Sequence, residues 1–324
     1  MGKAVVVFIP VYNEEKFLSE TISSVLNQTF EDFDLIISDN HSTDSTARII
    51  QEFQARDKRV IVWQPEHFCK SVEHGRYFIN RLNQMDYDST VMLGGHDLID
   101  YRYVEVLYSS YQANPTASMI VGSGFEIDTT GNRLREWPSI PQLRGGVIFM
   151  RPLILLMALF YNIAAFGLFP SAIRKTLKVR HNCVGNDHLY IAEASLLGDI
   201  IVEPDAVIYT RRTEGAGDHE TYFKKHISEN IQVDSVVENL NKQLEWVSHI
   251  NDLAFANFPE TIKNINLASS LGAYFTRYGV AQLSHVEGAM EMWLNSDFGK
   301  IIATNLNTVG SMYCDKIRTA PGVV

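Results

Sequence analysis

The strongest constraint on this chain is the way its first 125 residues switch between two hydrophobic periods. Ala4 to Ile9 is an unbroken apolar run rich in valine, the composition of a strand covered on both faces. Glu15 to Gln28 then places Phe17, Leu18, Ile22, Val25 and Leu26 at helical spacing. The pair repeats: Phe33–Ser38 predicts a strand, and Thr43–Arg56 a helix opened by the capping types Ser42, Thr43 and Asp44. Val60–Trp63, Ser89–Leu93 and Ser118–Phe125 read as further strands, with helices over Ser71–Asn83 and Tyr101–Ala113 between them. Such alternation predicts an α/β fold, a doubly wound and mostly parallel sheet flanked by helices. Ligands of these sheets gather beyond the carboxyl ends of the strands. Here those ends are Pro10–Glu14, Asp39–Asp44 and Gly94–Asp100.

Farther along, Asp128–Asn132 has the residues of a hairpin turn. Val147–Phe169 is the most apolar stretch, but Arg151-Pro152 and Asn162 interrupt it. A membrane span needs about 20 uninterrupted apolar residues. The stretch predicts a buried helix over Leu153–Tyr161 and a strand over Ile163–Phe169, and it is compatible with a peripheral contact at a membrane surface. Asp187–Leu197 reads as helix and Ile200–Tyr209 as strand. From Thr221 onward the pattern is helical, with breaks expected at Gly272 and Gly279. A chain of 324 residues exceeds what one core usually fills. It divides into residues 1–215 and a helical extension, 216–324, suited to packing on the first domain or on another subunit.

Charge narrows the ligand. The 28 Lys and Arg against 38 Asp and Glu leave a net charge of −10, which makes the chain a poor candidate for a nucleic-acid backbone binder, so no nucleic-acid partner is expected. A phosphate-bearing ligand must then be held by backbone N–H groups, a few local cations or a bound metal. Cys69, Cys183 and Cys314 are too few and too scattered for a disulfide framework or a zinc site, so a reducing, cytoplasmic setting fits. The apolar start is too short for a signal peptide and is broken by Pro10.

Three strand-end segments carry the chemistry: Pro10-Val11-Tyr12-Asn13-Glu14, Asp39-Asn40-His41-Ser42-Thr43-Asp44 and Gly94-Gly95-His96-Asp97. Asp39 is placed either to accept hydrogen bonds from a base or ribose or to cap its own turn. Tyr12 either stacks on a base or covers the sheet edge. His96 and Asp97 are types that ligate divalent metals, and also types that fill solvated turns.

In this order the segments resemble family 2 of the inverting glycosyltransferases, which have the GT-A fold. Pro10–Glu14 matches the family's Pro-x-Tyr-Asn-Glu segment. Thr21–Thr29 matches its helix ending in Gln-Thr, and Asp39–Asp44 its Asp-Asp/Asn-x-Ser-Thr-Asp segment. The resemblance covers residues 4 to 212. It implies that Pro10, Tyr12, Glu14 and Asp39 line a nucleoside pocket; Gly95 and His96 join the nucleotide-sugar-binding residues, and Asp97 is the metal-ligand or diphosphate-side candidate. The family's Asp-x-Asp motif is replaced by Gly94–Asp97, so a Mn2+ or Mg2+ cofactor would rest on Asp97 with His96 as substitute ligand. Without a metal, Lys70, Arg211 and Arg212 are the cations for the diphosphate, although each also reads as a solvated surface charge.

The resemblance also implies an acidic base at a helix start, matched by Asp187. Alone, that residue reads as a first-turn carboxylate favoured by the helix dipole. Glu193, farther along the helix, is the weaker candidate. The loop Tyr209–His219 has arginines and glycines suited to a lid but departs from the family's Arg-x-His spacing. The expected activity is transfer of a sugar from a nucleoside-diphosphate sugar to an acceptor hydroxyl on a glycan or lipid-linked glycan. Two rivals are a non-catalytic nucleotide-sugar-binding module and a nucleotidyltransferase. The second is disfavoured because Pro10–Glu14 contains neither glycine nor cation. A processive synthase is disfavoured because Gln-x-x-Arg-Trp is absent.

Overall fold

The computed structural model describes residues 3–158, 163–178, 187–213, 233–275, 279, 288–296 and 300. The chain forms two compact units, Met1–Gly217 and Asp218–Val324. The division falls two residues beyond the one read from the sequence.

In the first unit the strands are β1 (Val5–Val11), β2 (Phe33–Asp39), β3 (Val60–Trp63), β4 (Ser89–Met92), β5 (Leu98–Ile99), β6 (Ala117–Ile127), β7 (Arg133–Glu136), β8 (Leu168–Pro170) and β9 (Asp199–Arg211). The helices are α1 (Leu18–Leu26), α2 (Thr46–Arg56), α3 (Ser71–Leu82), α4 (Tyr103–Ala113), α5 (Arg151–Ala158), α6 (Ser171–Thr176) and α7 (Asp187–Ala194). One sheet runs in the order β3-β2-β1-β4-β8-β6-β9-β5, with β7 paired to β6. Pairing is parallel across β3-β2-β1-β4 and between β6 and β9, while β8 inserts antiparallel between β4 and β6.

Alternation along β1 explains why that run carries no polar residue. Val5, Val7 and Ile9 pack on one face with Leu18, Ile22 and Val25 of α1 and Ile49 and Ile50 of α2. Val6 and Phe8 pack on the other with Trp63 of β3 and Phe78 and Leu82 of α3. Both faces are dry, so both must be apolar. Val6 pairs with Thr90, and Thr90 with Phe169. Phe169 belongs to a third cluster with Met119, Leu155 and Ile191. The α3 cluster and this third cluster therefore lie side by side on one face of the sheet.

Two expectations are corrected within this unit. Ile163–Phe166 forms a 3-10 turn and not strand, and β8 begins only at Leu168. A short apolar run cannot be assigned by period alone. The Gly167 N–H donates back to the Ala164 carbonyl at 3.0 Å, closing the turn, and a Cβ at Gly167 would fall 2.5 Å from the Ile120 carbonyl. The helix expected from Leu153 starts at Arg151, because that arginine is buried and bonded to the Gly145 and Gly198 carbonyls and to Asp199. The short β5, β7 and α6 were not foreseen. No helix among the described residues is long and apolar enough to cross a membrane.

The second unit contains α8 (Val233–Ala254), α9 (Glu260–Tyr274) and α10 (Ala289–Leu294). Buried Val236, Leu240, Leu244, Val247 and Ile250 form a helical stripe on α8. Trp293 of α10 stacks on Phe275 at 4.0 Å. Gly272 does not break α9. A helical glycine costs about 1 kcal/mol, and the neighbouring Leu271 and Tyr274 are fully buried, an apolar burial that outweighs it.

Candidate active site

The first two strand ends are bolted to each other. The Asn40 N–H donates to the Val11 carbonyl, continuing the β1–β2 pairing. Asn13 and His41 then turn the two chains with φ of 56° and 60°, in the left-handed region that asparagine tolerates best among residues with a Cβ. Asn13 Oδ1 accepts from the Thr43 N–H at 2.8 Å, and Thr46 Oγ1 accepts from the Glu14 N–H at 2.8 Å. Asp44 accepts from the backbone of Thr46 and Glu15. Burial pushes its pKa up, but these hydrogen bonds outweigh burial and hold it below the usual value.

Asp39 is 4% exposed, and its Oδ1 accepts from both the N–H (3.1 Å) and the hydroxyl (2.6 Å) of Ser42. Turn-capping is thus real, yet it engages only one carboxylate oxygen; Oδ2 accepts no hydrogen bond from the described residues. Pro10 lies within β1, in register with Ser38. Tyr12 is 40% exposed, and its ring stands 5.0 Å from that of Phe68, itself 54% exposed. Phe68 belongs to the loop between β3 and α3. That loop is held by Asn40, whose side-chain amide bonds the Cys69 carbonyl and N–H at 2.7 and 2.9 Å. Phe68 carries no signal in the sequence, because a lone aromatic in a loop has no period. Lys70 is exposed and precedes α3, its N–H directed to Glu73 at 3.3 Å.

The third strand end is packed against the first. Gly95 accepts the Thr21 hydroxyl at 3.1 Å, and a Cβ there would fall 2.9 Å from Glu14 Cγ and 3.0 Å from Val11 Cγ1. Only glycine lets β4's turn approach this closely. His96 Nδ1 lies 3.0 Å from Glu14 Oε1, and Nε2 lies 4.0 Å from Asp97 Oδ1. Asp97 turns inward: it is 4% exposed, accepts the Arg211 N–H at 2.9 Å and lies against Gly94. Burial pushes its pKa up, opposed by the His96 and Arg211 groups.

This arrangement does not fit a divalent ion. A hard cation needs several converging oxygens. Here Asp97 is packed into the interior, and the His96 nitrogen nearest a carboxylate is engaged with Glu14. Among the described residues no three His, Cys, Asp or Glu side chains are grouped to hold a metal.

Arg211 and Arg212 are adjacent but differ in role. The Arg211 guanidinium is 2% exposed, lies over the Phe17 ring at 4.4 Å, and donates to the His96 and Thr129 carbonyls and to Glu20. It knots three segments together. Arg212 is 47% exposed and pairs through two nitrogens with Glu126, which also holds Arg135.

Asp187 is the first residue of α7, with a side chain 41% exposed. It accepts from the His188 N–H at 3.1 Å, and the His188 ring lies at 3.2 Å. It lines a pocket with Phe8 of β1 and Met92 of β4. Glu193 is buried, and both of its oxygens lie 2.9 Å from the Lys178 N–H, a structural bond. Residues 185–186 and the glycine-bearing loop up to His219 lie outside the described residues.

A curled, mostly parallel sheet flanked by helices, with a polar cradle across its central strand ends, is the architecture of the GT-A glycosyltransferases. A structure of Staphylococcus aureus TarS residues 1–349 in complex with UDP-GlcNAc superposes with a TM-score of 0.65 at 17% identity, covering 93% of this chain and 82% of that one. Residues 6–166 match the model of glycosyl transferase family 2, and this stretch is a family 2 glycosyltransferase domain. The glycosyltransferase GlyA of Streptococcus pneumoniae is 29% identical over 113 residues, which cover 34% of this chain and only 16% of GlyA. An uncharacterized glycosyltransferase of Haemophilus influenzae is 26% identical over 290 residues, 82% of this chain and 83% of its own.

Proposed function

We propose that this chain transfers a sugar from a nucleoside-diphosphate sugar to an acceptor hydroxyl with inversion, using Asp187 as base. The observation that carries the reading is the position of Asp187. It is a partly exposed carboxylate at the start of α7, lining the same pocket as Met92, two residues before the Gly94–Asp97 turn. The His188 N–H donates to Asp187 Oδ1 at 3.1 Å and the His188 ring lies at 3.2 Å. The acceptor oxygen loses its proton to Asp187 as it attacks the anomeric carbon from the face opposite the diphosphate, through an oxocarbenium-like transition state.

Asp39 Oδ2, Tyr12 and Phe68 hold the nucleoside, beside Pro10 and Glu14. The diphosphate lies toward Gly95 and His96, with Lys70 and Arg212 as nearby cations, while Arg211 acts from beneath by fixing the His96 carbonyl. The TarS complex makes a uridine nucleotide sugar the first donor to test. The acceptor is a glycan or lipid-linked glycan of polysaccharide or glycoconjugate assembly on the cytoplasmic side. Exposed Val147, Ile148 and Ile154 support a peripheral membrane contact, and exposed Leu253, Met292 and Leu294 support self-association through the C-terminal helices.

Asp187→Asn is the test. Turnover should fall by about 10²- to 10⁴-fold, with nucleotide diphosphate affinity by calorimetry unchanged. Near-normal turnover in that variant would sink the assignment.

A further inference from the structure

The turn in which an Asp-x-Asp motif would gather a metal is filled here by protein groups. Two residues before Asp97, where such a motif places its first carboxylate, stands Gly95. A side chain at Gly95 would have to displace the buried Val11, whose Cγ1 lies 3.0 Å from the place of a Cβ, and Glu14, whose Cγ lies 2.9 Å from it. The His96 ring stands between the two carboxylates that remain, Nδ1 3.0 Å from Glu14 Oε1 and Nε2 4.0 Å from Asp97 Oδ1. It occupies the space in which an ion would have to meet both. Asp97 Oδ1 already accepts the Arg211 N–H, and Oδ2 is turned against Gly94.

A cation is nonetheless built into this turn. The buried Arg211 guanidinium donates from Nε to the His96 carbonyl at 3.0 Å and from Nη1 to the Thr129 carbonyl at 3.1 Å. One residue thus fixes the turn twice, by its main chain at Asp97 and by its side chain at His96. A divalent ion bound here would lie close to that permanent charge and be repelled by it. Arg212 follows at once and is half-exposed. It shares the single Glu126 carboxylate with Arg135, so these three groups together carry a net positive charge next to the residue that holds the turn. Guanidinium groups pair with phosphate oxygens through strong, directional hydrogen bonds.

We infer that this chain holds the diphosphate of its donor without a divalent ion, with Arg211 fixing the Gly94–Asp97 turn and Arg212 donating to the diphosphate oxygens. The inference rests on the reading of the chain as a nucleotide-sugar transferase. Arg211 is a positioning residue and touches no substrate. As the bond between the anomeric carbon and the diphosphate breaks, its electron pair stays on the diphosphate oxygen. The Arg212 N–H groups stabilise that developing charge.

The test is calorimetric titration of the full chain with UDP, GDP and ADP, first in EDTA and then with excess MnCl2 or MgCl2. At least one diphosphate should bind in EDTA, with an affinity that neither metal changes. Binding that appears only with metal, or is strengthened by it, would overturn the inference and leave the nucleotide-sugar reading intact. No binding of any diphosphate under either condition would overturn that reading, and this inference with it. Arg212→Ala should weaken binding of the diphosphate by about tenfold, leave the monophosphate of the same base nearly unaffected, and not be rescued by MnCl2. A merely structural Arg212 would weaken both nucleotides alike. Equal losses, or none, would overturn its role at the diphosphate.

Discussion

Asn40 grips Cys69 by both of its main-chain groups, the side-chain amide pairing with the Cys69 carbonyl and N–H as a neighbouring strand would. The loop that carries Phe68 is thereby tied to the end of β2, beside Asp39. Asn40→Ala should cost about 2 kcal/mol of stability, two hydrogen bonds at about 1 kcal/mol each, measured by urea unfolding. It should also weaken nucleotide binding several-fold, because the wall that faces Tyr12 is no longer fixed. Unchanged affinity would mean that this loop has no part in holding the nucleoside.

Tyr12 and Phe68 expose two aromatic faces beyond the carboxyl end of the central strand β1. Stacking of a base on an aromatic is worth about 1–3 kcal/mol. Phe68→Ala and Tyr12→Ala should each reduce calorimetric affinity for a nucleoside diphosphate by about 5- to 100-fold, with Tm shifted little because both side chains are already exposed.

Arg211 and Arg212 should part under substitution. Arg211→Ala leaves the His96 and Thr129 carbonyls without their donor, beside a Glu20 that is largely exposed, and should cost about 2–4 kcal/mol. Arg212→Ala leaves Glu126 still paired with Arg135 and should cost less than about 1 kcal/mol, while lowering donor affinity. Equal losses of stability in chemical denaturation would contradict this division.

His74 couples the carboxyl end of β2 to pH. Its Nε2 lies 2.8 Å from Ser38 Oγ, and burial pulls its pKa from 6.5 down to about 4, against the opposing charge of Asp39. The unfolded chain takes up this proton near pH 6.5, whereas the folded chain refuses it until about pH 4. The contribution is complete above pH 6.5 and declines as pH falls toward 4, by up to about 3 kcal/mol. Unfolding free energies from pH 7 to 4.5 should therefore fall less steeply in His74→Gln than in the parent chain.

Apart from the two-residue β5, the elements from β1 to α4 were legible because each obeys one period over a run bounded by polar turn residues. Val60–Trp63 appears with the bounds read for it, and Asp39 and Asp187 stand at the strand end and helix start expected of them. The Gln28-Thr29 ending acquires a physical meaning only in three dimensions. Gln28 bonds the Asp100 carbonyl and the Val104 N–H, and Thr29 bonds Tyr101 and Glu105. The pair clamps the chain after β5, a contact across more than 70 residues that no local pattern announces.

What the amino-acid order determined by itself was the alternation of periods, and with it the sheet, its strand ends and the polar residues placed there. Apolar spacing is a one-dimensional record of which face each element buries. Only the tertiary structure decided which polar groups remain available for chemistry. Asp97 and Arg211 look like ligands in the sequence, yet Asp97 accepts the Arg211 N–H in the interior, whereas Phe68, silent in the sequence, stands exposed beside Tyr12. The reason is that exposure and hydrogen-bond saturation are properties of neighbours brought together by folding, and a residue's type does not contain them.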